Sequence, residues 1–346
     1  MSLTHIGITL AENGFIPDFI IRKGIRNLCI QRLNDIASDN CEISSQIRQI
    51  FFETMETAEI APLAEMANDQ HYEVPAAFFN FVLGKNRKYS SCYWPNGVHN
   101  LDDAEDMALS ETLRHAELED GHEILELGCG WGSLSILMAK RFPKSKITSV
   151  SNSNSQRKFI MDEASKLGLQ NLNVITCDMN SFDTNATYDR VVSVEMFEHM
   201  RNYDRLFEKI SRWLNPNGKF FMHIFCHKSV PYAFEVKDEG DWLSQYFFSG
   251  GFMPSDDTPL RFQKHLKISK QWRWDGTHYK NTANAWLKNM DDNIESIRAI
   301  FKVCYGERHT KLWVFRWRIF FMSCAELFGL RNGQEWWVSH YLFEKT

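Results

Sequence analysis

The chain has 346 residues and a formal net charge of −5, long enough for two domains at about 150 residues each. Its 39 Lys and Arg against 44 Asp and Glu form no basic run, which argues against nucleic acid as a partner. Eight scattered cysteines lack C-x-x-C spacing, so no metal site is expected, and free thiols in a reducing, cytoplasmic compartment are predicted.

Residues 1 to about 70 show helical periodicity, with Ile25, Leu28 and Leu33 on one face and Ile47, Ile50 and Phe51 on another. Residues 1–100 are therefore expected to form a helical N-terminal region that covers the active site. Pro75 and the glycines from 84 to 97 punctuate an irregular stretch. A helix over 101–118 starts near Asp102 or Asp103. A regular alternation follows, with strands at 124–127, 146–150, 172–177, 189–194 and 219–225. Helices at 133–142, 156–167 and 203–214 separate them, and Asn215-Pro-Asn-Gly218 reads as a turn. This predicts an α/β core over 101–225, a parallel sheet with helices on both faces. Residues 226–310 lack strand alternation and are expected to form a helical lid that binds the acceptor. Helices at 294–305 and 311–330 and a closing strand at 336–343 complete the chain. No window reaches the roughly 18–20 uncharged apolar residues of a membrane span. The 26 Phe and 11 Trp serve either a large core or an aromatic pocket.

The most telling run is Glu126-Leu-Gly-Cys-Gly-Trp-Gly132, between a strand and a helix. Its E-x-G-x-G-x-G form is neither the dinucleotide G-x-G-x-x-G nor a P-loop, since no Lys-Ser or Lys-Thr follows. Glycines such as Gly128 and Gly130 let the backbone approach a ligand closely. The carboxylate of Glu126 suits a cationic tail. A small ligand with an amino acid end, such as S-adenosylmethionine, fits better than a pyrophosphate.

Ligands of such sheets sit beyond the carboxyl ends of the strands. Asp178 and Met179 stand there, placed to meet an adenine, although a turn cap is the plain alternative for Asp178. Asn152 and Gln156 stand where a carboxylate often binds ribose, and amides hydrogen-bond hydroxyls too. Tyr72, Ser90 and Ser91 are candidates for the donor's carboxylate or amine. Glu195-Met-Phe-Glu-His199 gathers two carboxylates and a histidine at the end of the fourth strand, an inventory for acid–base catalysis.

Together with His71-Tyr, Tyr89-Ser-Ser-Cys-Tyr and Asp275-Gly-x-His-Tyr279, these segments resemble the cyclopropane-fatty-acid-synthase-like superfamily of class I methyltransferases. The branch of coclaurine and pavine N-methyltransferases is the closer likeness. It is carried by His71-Tyr-Glu-Val-Pro75, Ser193-Val-Glu-Met-Phe-Glu-His-Met200, His223-Ile-Phe-Cys-His-Lys228 and Glu335-Trp-Trp-Val-Ser-His-Tyr-Leu-Phe343. The resemblance implies a Rossmann-like methyltransferase fold with S-adenosylmethionine as donor. It implies donor contacts from Ser91, Gly128, Asn152, Gln156, Asp178, Met179 and Val194. It places Glu195, Glu198 and His199 at the acceptor, with Glu73 reaching in. The lipid-modifying branch carries glycine where this chain has Glu195, and cysteine where it has Ser91, which disfavours cyclopropanation.

An amine must lose its proton before it attacks a sulfonium, so the site needs carboxylates and a base. His199, oriented by Glu195 or Glu198, is the expected base. Trp94, Phe197, Tyr232, Phe252 and Trp336 are the expected aromatic walls for a small aromatic amine. The rivals are carbon methylation of a lipid alkene, with Cys324 as an extra group, and a silent donor-binding regulator. A homodimer is the expected assembly.

Overall fold

Short apolar runs alternating with helical segments fold here into one seven-stranded sheet. The computed structural model describes residues 3–62, 76–236, 241–248 and 250–346. The strands are β1 (Glu123–Leu127), β2 (Lys146–Ser151), β3 (Leu172–Thr176), β4 (Tyr188–Val194), β5 (Leu214–His227), β6 (Tyr232–Ala233), β7 (Phe252–Met253), β8 (Leu266–Trp274) and β9 (Trp336–Lys345). The large sheet runs β3-β2-β1-β4-β5-β9-β8, and β6 pairs with β7 apart from it. Its first five strands are parallel, while β9 runs antiparallel to β5 and β8 antiparallel to β9.

Consecutive residues of a strand point to opposite faces, and the two cores divide accordingly. Leu125, Val191, Phe220 and Phe343 join Leu206, Phe207 and Ile210 of helix Tyr203–Trp213. Their neighbours Ile124, Val192, Phe221 and Leu342 join Leu134, Met138 and Ile160 on the other side. A third core takes up much of the aromatic content. Phe78, Phe79, Trp286, Trp317 and Phe320 pack where helices Ala76–Val82, Gly276–Asp292 and Glu307–Gly329 meet. Three helices, Leu3–Glu12, Asp18–Asp35 and Cys41–Thr57, form the N-terminal region. No described helix is long and apolar enough to cross a membrane.

Two expectations need correction. Residues 226–310 are not wholly helical, because β8 lies among them as the edge strand of the main sheet. An edge strand has solvent on one side, and exposed Lys267, Lys270 and Arg273 erase the apolar alternation that would mark it. The Asn215-Pro-Asn-Gly218 segment falls within the span of β5 and bulges out of its pairing with β4, since Leu214 pairs with Tyr188 and Lys219 with Arg190.

The order reverses between β1 and β4, which opens a crevice at their carboxyl ends. Gly128 follows one strand and Glu195 follows the other.

Candidate active site

A cavity of about 180 Å³ fills this crevice. Gly128, Gly130 and Gly132 take positive φ values of 78°, 51° and 81°. A Cβ on Gly128 would stand 2.8 Å from the Cβ of Met196, so a side chain there forces the two strand ends apart. A Cβ on Gly130 would meet nothing within 4 Å, leaving open space along the backbone. Glu126 lies on the cavity wall, nearly buried, and accepts from Ser149 Oγ at 2.8 Å and from Ser135 Oγ. Burial pushes its carboxyl up to about 6.

Glu195 has a φ of +49°, unusual for a residue with a side chain. Such backbone strain costs about 1–3 kcal/mol and concentrates at functional sites. Its carboxylate is held on both oxygens. Oε1 accepts from the Ser91 N–H at 2.8 Å and lies 3.1 Å from His223 Nε2. Oε2 accepts from the Tyr279 hydroxyl at 2.9 Å. Burial raises its proton affinity, while the nearby Lys88 charge and these donors oppose that.

His199 also lines the cavity, on the short 3-10 turn Phe197–His199 that follows. Burial pushes its imidazole down to about 4, against the opposing charge of Glu195. It is therefore neutral at pH 7. Glu198 points elsewhere: its Oε1 accepts from the Phe225 N–H at 2.7 Å, and burial drives its carboxyl well above the usual range. The β5 backbone holds only Oε1; Oε2 is buried without a hydrogen-bond partner, so the expected bond to His199 is not seen among the described residues.

The structure brings most of the expected donor-binding residues together. Ser90, Glu126, Gly128, Gly130, Asn152, Gln156, Met179 and Val194 all line the cavity. Gln156 is oriented by Ser151 Oγ, which donates to its amide oxygen at 2.8 Å. Two residues are not on the cavity wall. Asp178 accepts from the Asn180 N–H at 2.6 Å, the turn-cap arrangement, while its neighbours Cys177 and Met179 face the cavity. Ser91 offers its backbone N–H to Glu195, and its hydroxyl donates to the Cys92 carbonyl at 3.3 Å. Tyr72 and Glu73 lie outside the described residues.

Lys88 and Tyr279 escaped the sequence reading as site residues. The Lys88 ammonium is buried in the cavity wall and donates to Ser90 Oγ at 2.6 Å and to the Ser91 carbonyl at 2.5 Å. No periodicity marks it. Its loop is pinned by Glu105, which accepts from the N–H groups of Gly84, Asn86 and Lys88. Burial nevertheless pushes Glu105 up to about 7.

A second cavity of about 510 Å³ adjoins the first and shares Phe225, Phe248 and Tyr279 with it. Its far wall comes from the N-terminal helices, through Ile8, Ile16, Ile21, Gly24 and Ile25. Of the expected aromatic walls, only Tyr232 lines it, where the Trp336 Nε1–H donates to its hydroxyl at 3.0 Å. Trp336 itself is fully buried behind Tyr232. Phe197 and Phe252 face the core, packed on Tyr203 at 5.1 and 5.9 Å between ring centroids. Trp94 is tied to helix Gly276–Asp292 by bonds to His278 Nδ1 and Thr282 Oγ1, both 2.9 Å. Those four rings were expected at the acceptor because aromatic residues suit both pockets and cores, and here the core took them. Cys324 does line the larger cavity.

Comparisons with known proteins lead the same way. The family described as mycolic acid cyclopropane synthetase matches residues 63–336. An (S)-coclaurine N-methyltransferase of Thalictrum flavum subsp. glaucum is 38% identical over 340 residues, 96% of this chain and 94% of that protein. A pavine N-methyltransferase of the same plant is 35% identical over 298 residues, 85% of this chain and 84% of that protein. A crystal structure of coclaurine N-methyltransferase bound to N-methylheliamine and SAH superposes with a TM-score of 0.96 at 33% identity, covering 99% of this chain and 100% of that one.

Proposed function

The chain belongs to the mycolic acid cyclopropane synthetase family and is an S-adenosylmethionine-dependent N-methyltransferase; on that premise we propose that its acceptor is a small aromatic amine of the alkaloid type, a tetrahydroisoquinoline or phenylalkylamine, that gives its proton to Glu195. One observation carries the reading. A buried carboxylate, held by the Ser91 N–H and the Tyr279 hydroxyl and in contact with His223 Nε2, stands in the smaller cavity beside Tyr279, which that cavity shares with the larger one.

The smaller cavity fits the donor. Glycine backbone at 130 leaves open space beside it, and carboxylate, ammonium and amide groups converge on it. We assign Glu126 and Lys88 to its amino acid end, Asn152 and Gln156 to its ribose hydroxyls, and Met179 and Val194 to its adenine. Asp178 caps the Asn180 N–H through Oδ1, and we assign its other carboxylate oxygen to the adenine as well. When bound, S-adenosylmethionine supplies an electrophilic methyl group on a sulfonium.

The acceptor arrives as an ammonium and enters the apolar cavity between the N-terminal helices and Tyr279. Glu195 attracts the cation and accepts its proton, for which burial has raised its affinity. Neutral His199 accepts a hydrogen bond from the amine and holds its lone pair in line. This divides the work differently from the expectation of His199 as the base, because burial favours the proton on Glu195 and disfavours it on His199. Positioning of the nitrogen against the methyl group contributes most of the acceleration. Glu73, outside the described residues, is retained in the proposal as an acceptor-site group.

The lipid-alkene and silent-regulator readings are not favoured. The eight cysteines carry no disulfide in the structure, which suits a cytoplasmic setting, and we retain the homodimer as part of the proposal, to be read by light scattering. The deciding experiment is methyl transfer from labelled donor to a panel of tetrahydroisoquinolines, phenylalkylamines and phospholipid vesicles. Labelled amine is expected; labelled lipid without labelled amine would reverse the assignment.

A further inference from the structure

Behind Glu195 lies a file of three buried histidines. His223 on β5 and His340 on β9 are cross-strand partners, and His115 closes helix Leu101–His115. His223 Nε2 lies 3.1 Å from Glu195 Oε1. His223 Nδ1 lies 2.9 Å from His340 Nε2, and His340 Nδ1 lies 2.8 Å from His115 Nδ1. The remaining nitrogen, His115 Nε2, is 2.8 Å from an Arg114 guanidinium nitrogen and 3.4 Å from Glu111 Oε2. All three histidines are at most 2% exposed, whereas Arg114 is 62% exposed at its side chain and Glu111 21%. Every ring nitrogen thus has a partner, and the file runs unbroken from the reacting carboxylate to the surface.

Each contact pairs one ring nitrogen with the next, so only two N–H patterns satisfy the whole file. In one, every N–H points toward an ionised Glu195, and Arg114 donates to His115 Nε2. In the other, every N–H points outward, Glu195 is protonated, and His115 Nε2–H faces the Glu111 carboxylate. The surface end holds both a donor and an acceptor, so it completes either pattern.

Resting on the reading of Glu195 as the acceptor of the amine's proton, we propose that this proton leaves the closed site through His223, His340 and His115 and reaches solvent at Glu111. The relay starts from the outward pattern, with Glu195 protonated. The Glu195 O–H breaks as a bond forms to His223 Nε2. His223 Nδ1–H breaks as His340 Nε2–H forms. His340 Nδ1–H breaks as His115 Nδ1–H forms. His115 Nε2–H breaks and its proton passes to Glu111 and water. Glu195 is then ionised and the rings stand in the inward pattern. An N–H bond of the ammonium now breaks as an O–H bond forms on Glu195, so one proton leaves and one enters. They reset when each exchanges its N–H for its other nitrogen.

The surroundings keep the rings neutral between transfers. Burial lowers the proton affinity of all three, His115 to about 4, and the charges of Lys88 and Arg114 act in the same sense on His340. Trp272 stacks on His115 at 4.0 Å between centroids and Trp274 stands edge-on to His340 at 4.3 Å, which holds the rings in place and excludes water. Tyr279 faces Glu195 from the opposite side and Glu111 faces His115.

The test uses three variants of the full chain with a tetrahydroisoquinoline acceptor, read by kcat, both KM values and the solvent deuterium isotope effect across pH. His340→Phe keeps the ring shape and removes both nitrogens. It is expected to lower kcat about tenfold or more, leave both KM values unchanged and alter the isotope effect. Glu111→Gln sits at the surface, where it leaves the core intact, and is expected to lower kcat in the same direction; it decides alone if His340→Phe does not fold. Wild-type kcat and isotope effect in these variants, beside a dead Glu195→Gln, overturn the relay and leave the amine reading standing. Full turnover in Glu195→Gln overturns both.

Discussion

The hydroxyl of Tyr279 donates to Oε2 of Glu195 over 2.9 Å and ties helix Gly276–Asp292 to the end of β4. The bond stabilises the ionised carboxylate, so it lowers the affinity of Glu195 for a proton. In Tyr279→Phe that affinity rises. The acid limb of kcat/KM is then expected to move up by about one pH unit, since a hydrogen bond to a charged group is worth about 1.5–3 kcal/mol. An unshifted limb would show that the phenol does not serve the ionised form.

Glu195 combines a left-handed backbone with the side chain proposed to take the amine's proton. Glu195→Gly and Glu195→Ala both remove the carboxylate, and both are expected to lose turnover by about 10²-fold or more. Only glycine relieves the backbone. It should therefore be more stable than the alanine variant by about 1 kcal/mol in chemical denaturation. Equal stabilities would mean that the +49° φ carries no strain.

Gly128→Ala places a Cβ 2.8 Å from Met196 at a φ of +78°. The substitution is expected to destabilise by about 1–3 kcal/mol and to weaken donor binding at least about tenfold by calorimetry. Native donor affinity would remove the glycine turn from the binding surface.

Gly24 lines the larger cavity from within helix Asp18–Asp35, with nothing within 4 Å of an added Cβ. Gly24→Leu improves helix propensity and narrows that cavity. Its KM for a benzyl-substituted amine is expected to rise about tenfold, with less effect on a small amine and none on donor affinity. A KM independent of amine size would place the acceptor elsewhere.

Burial holds His199 and His227 at about 4, below the usual 6.5. The fold therefore binds the neutral rings, and their contribution is complete above about pH 6.5. It is lost as pH falls through about 4. The melting temperature should drop over that window, and less so in His227→Gln. A melting temperature that is flat between pH 6.5 and 4 would contradict the depressed values.

Much of the sheet was legible because its central strands are buried on both faces and write near-continuous apolar runs. The bounds of β1, β2 and β3 fall within a residue of those expected. The edge strand β8 was missed, since a charged, half-solvated strand has no such run. The glycine turn and the Glu195–His199 segment were legible as neighbours on one cavity wall, because both follow strands that end at the same crevice. Phe197, Phe252, Trp94 and Trp336 were misplaced, because an aromatic side chain has the same sequence signature in a core as in a pocket.

The sequence by itself determined the parallel core, the glycine turn and the acid–base inventory at the end of β4, all properties of contiguous residues. Only the tertiary structure decided which partner each group meets. It set Glu195 against Ser91, His223 and Tyr279, turned Glu198 into the β5 backbone, and buried Lys88 in the wall. It also aligned His115, His223 and His340, more than a hundred residues apart in pairs, because β5 and β9 lie side by side and helix Leu101–His115 ends over them. Proton affinity depends on burial and on neighbouring charge, and neither exists until the chain has folded.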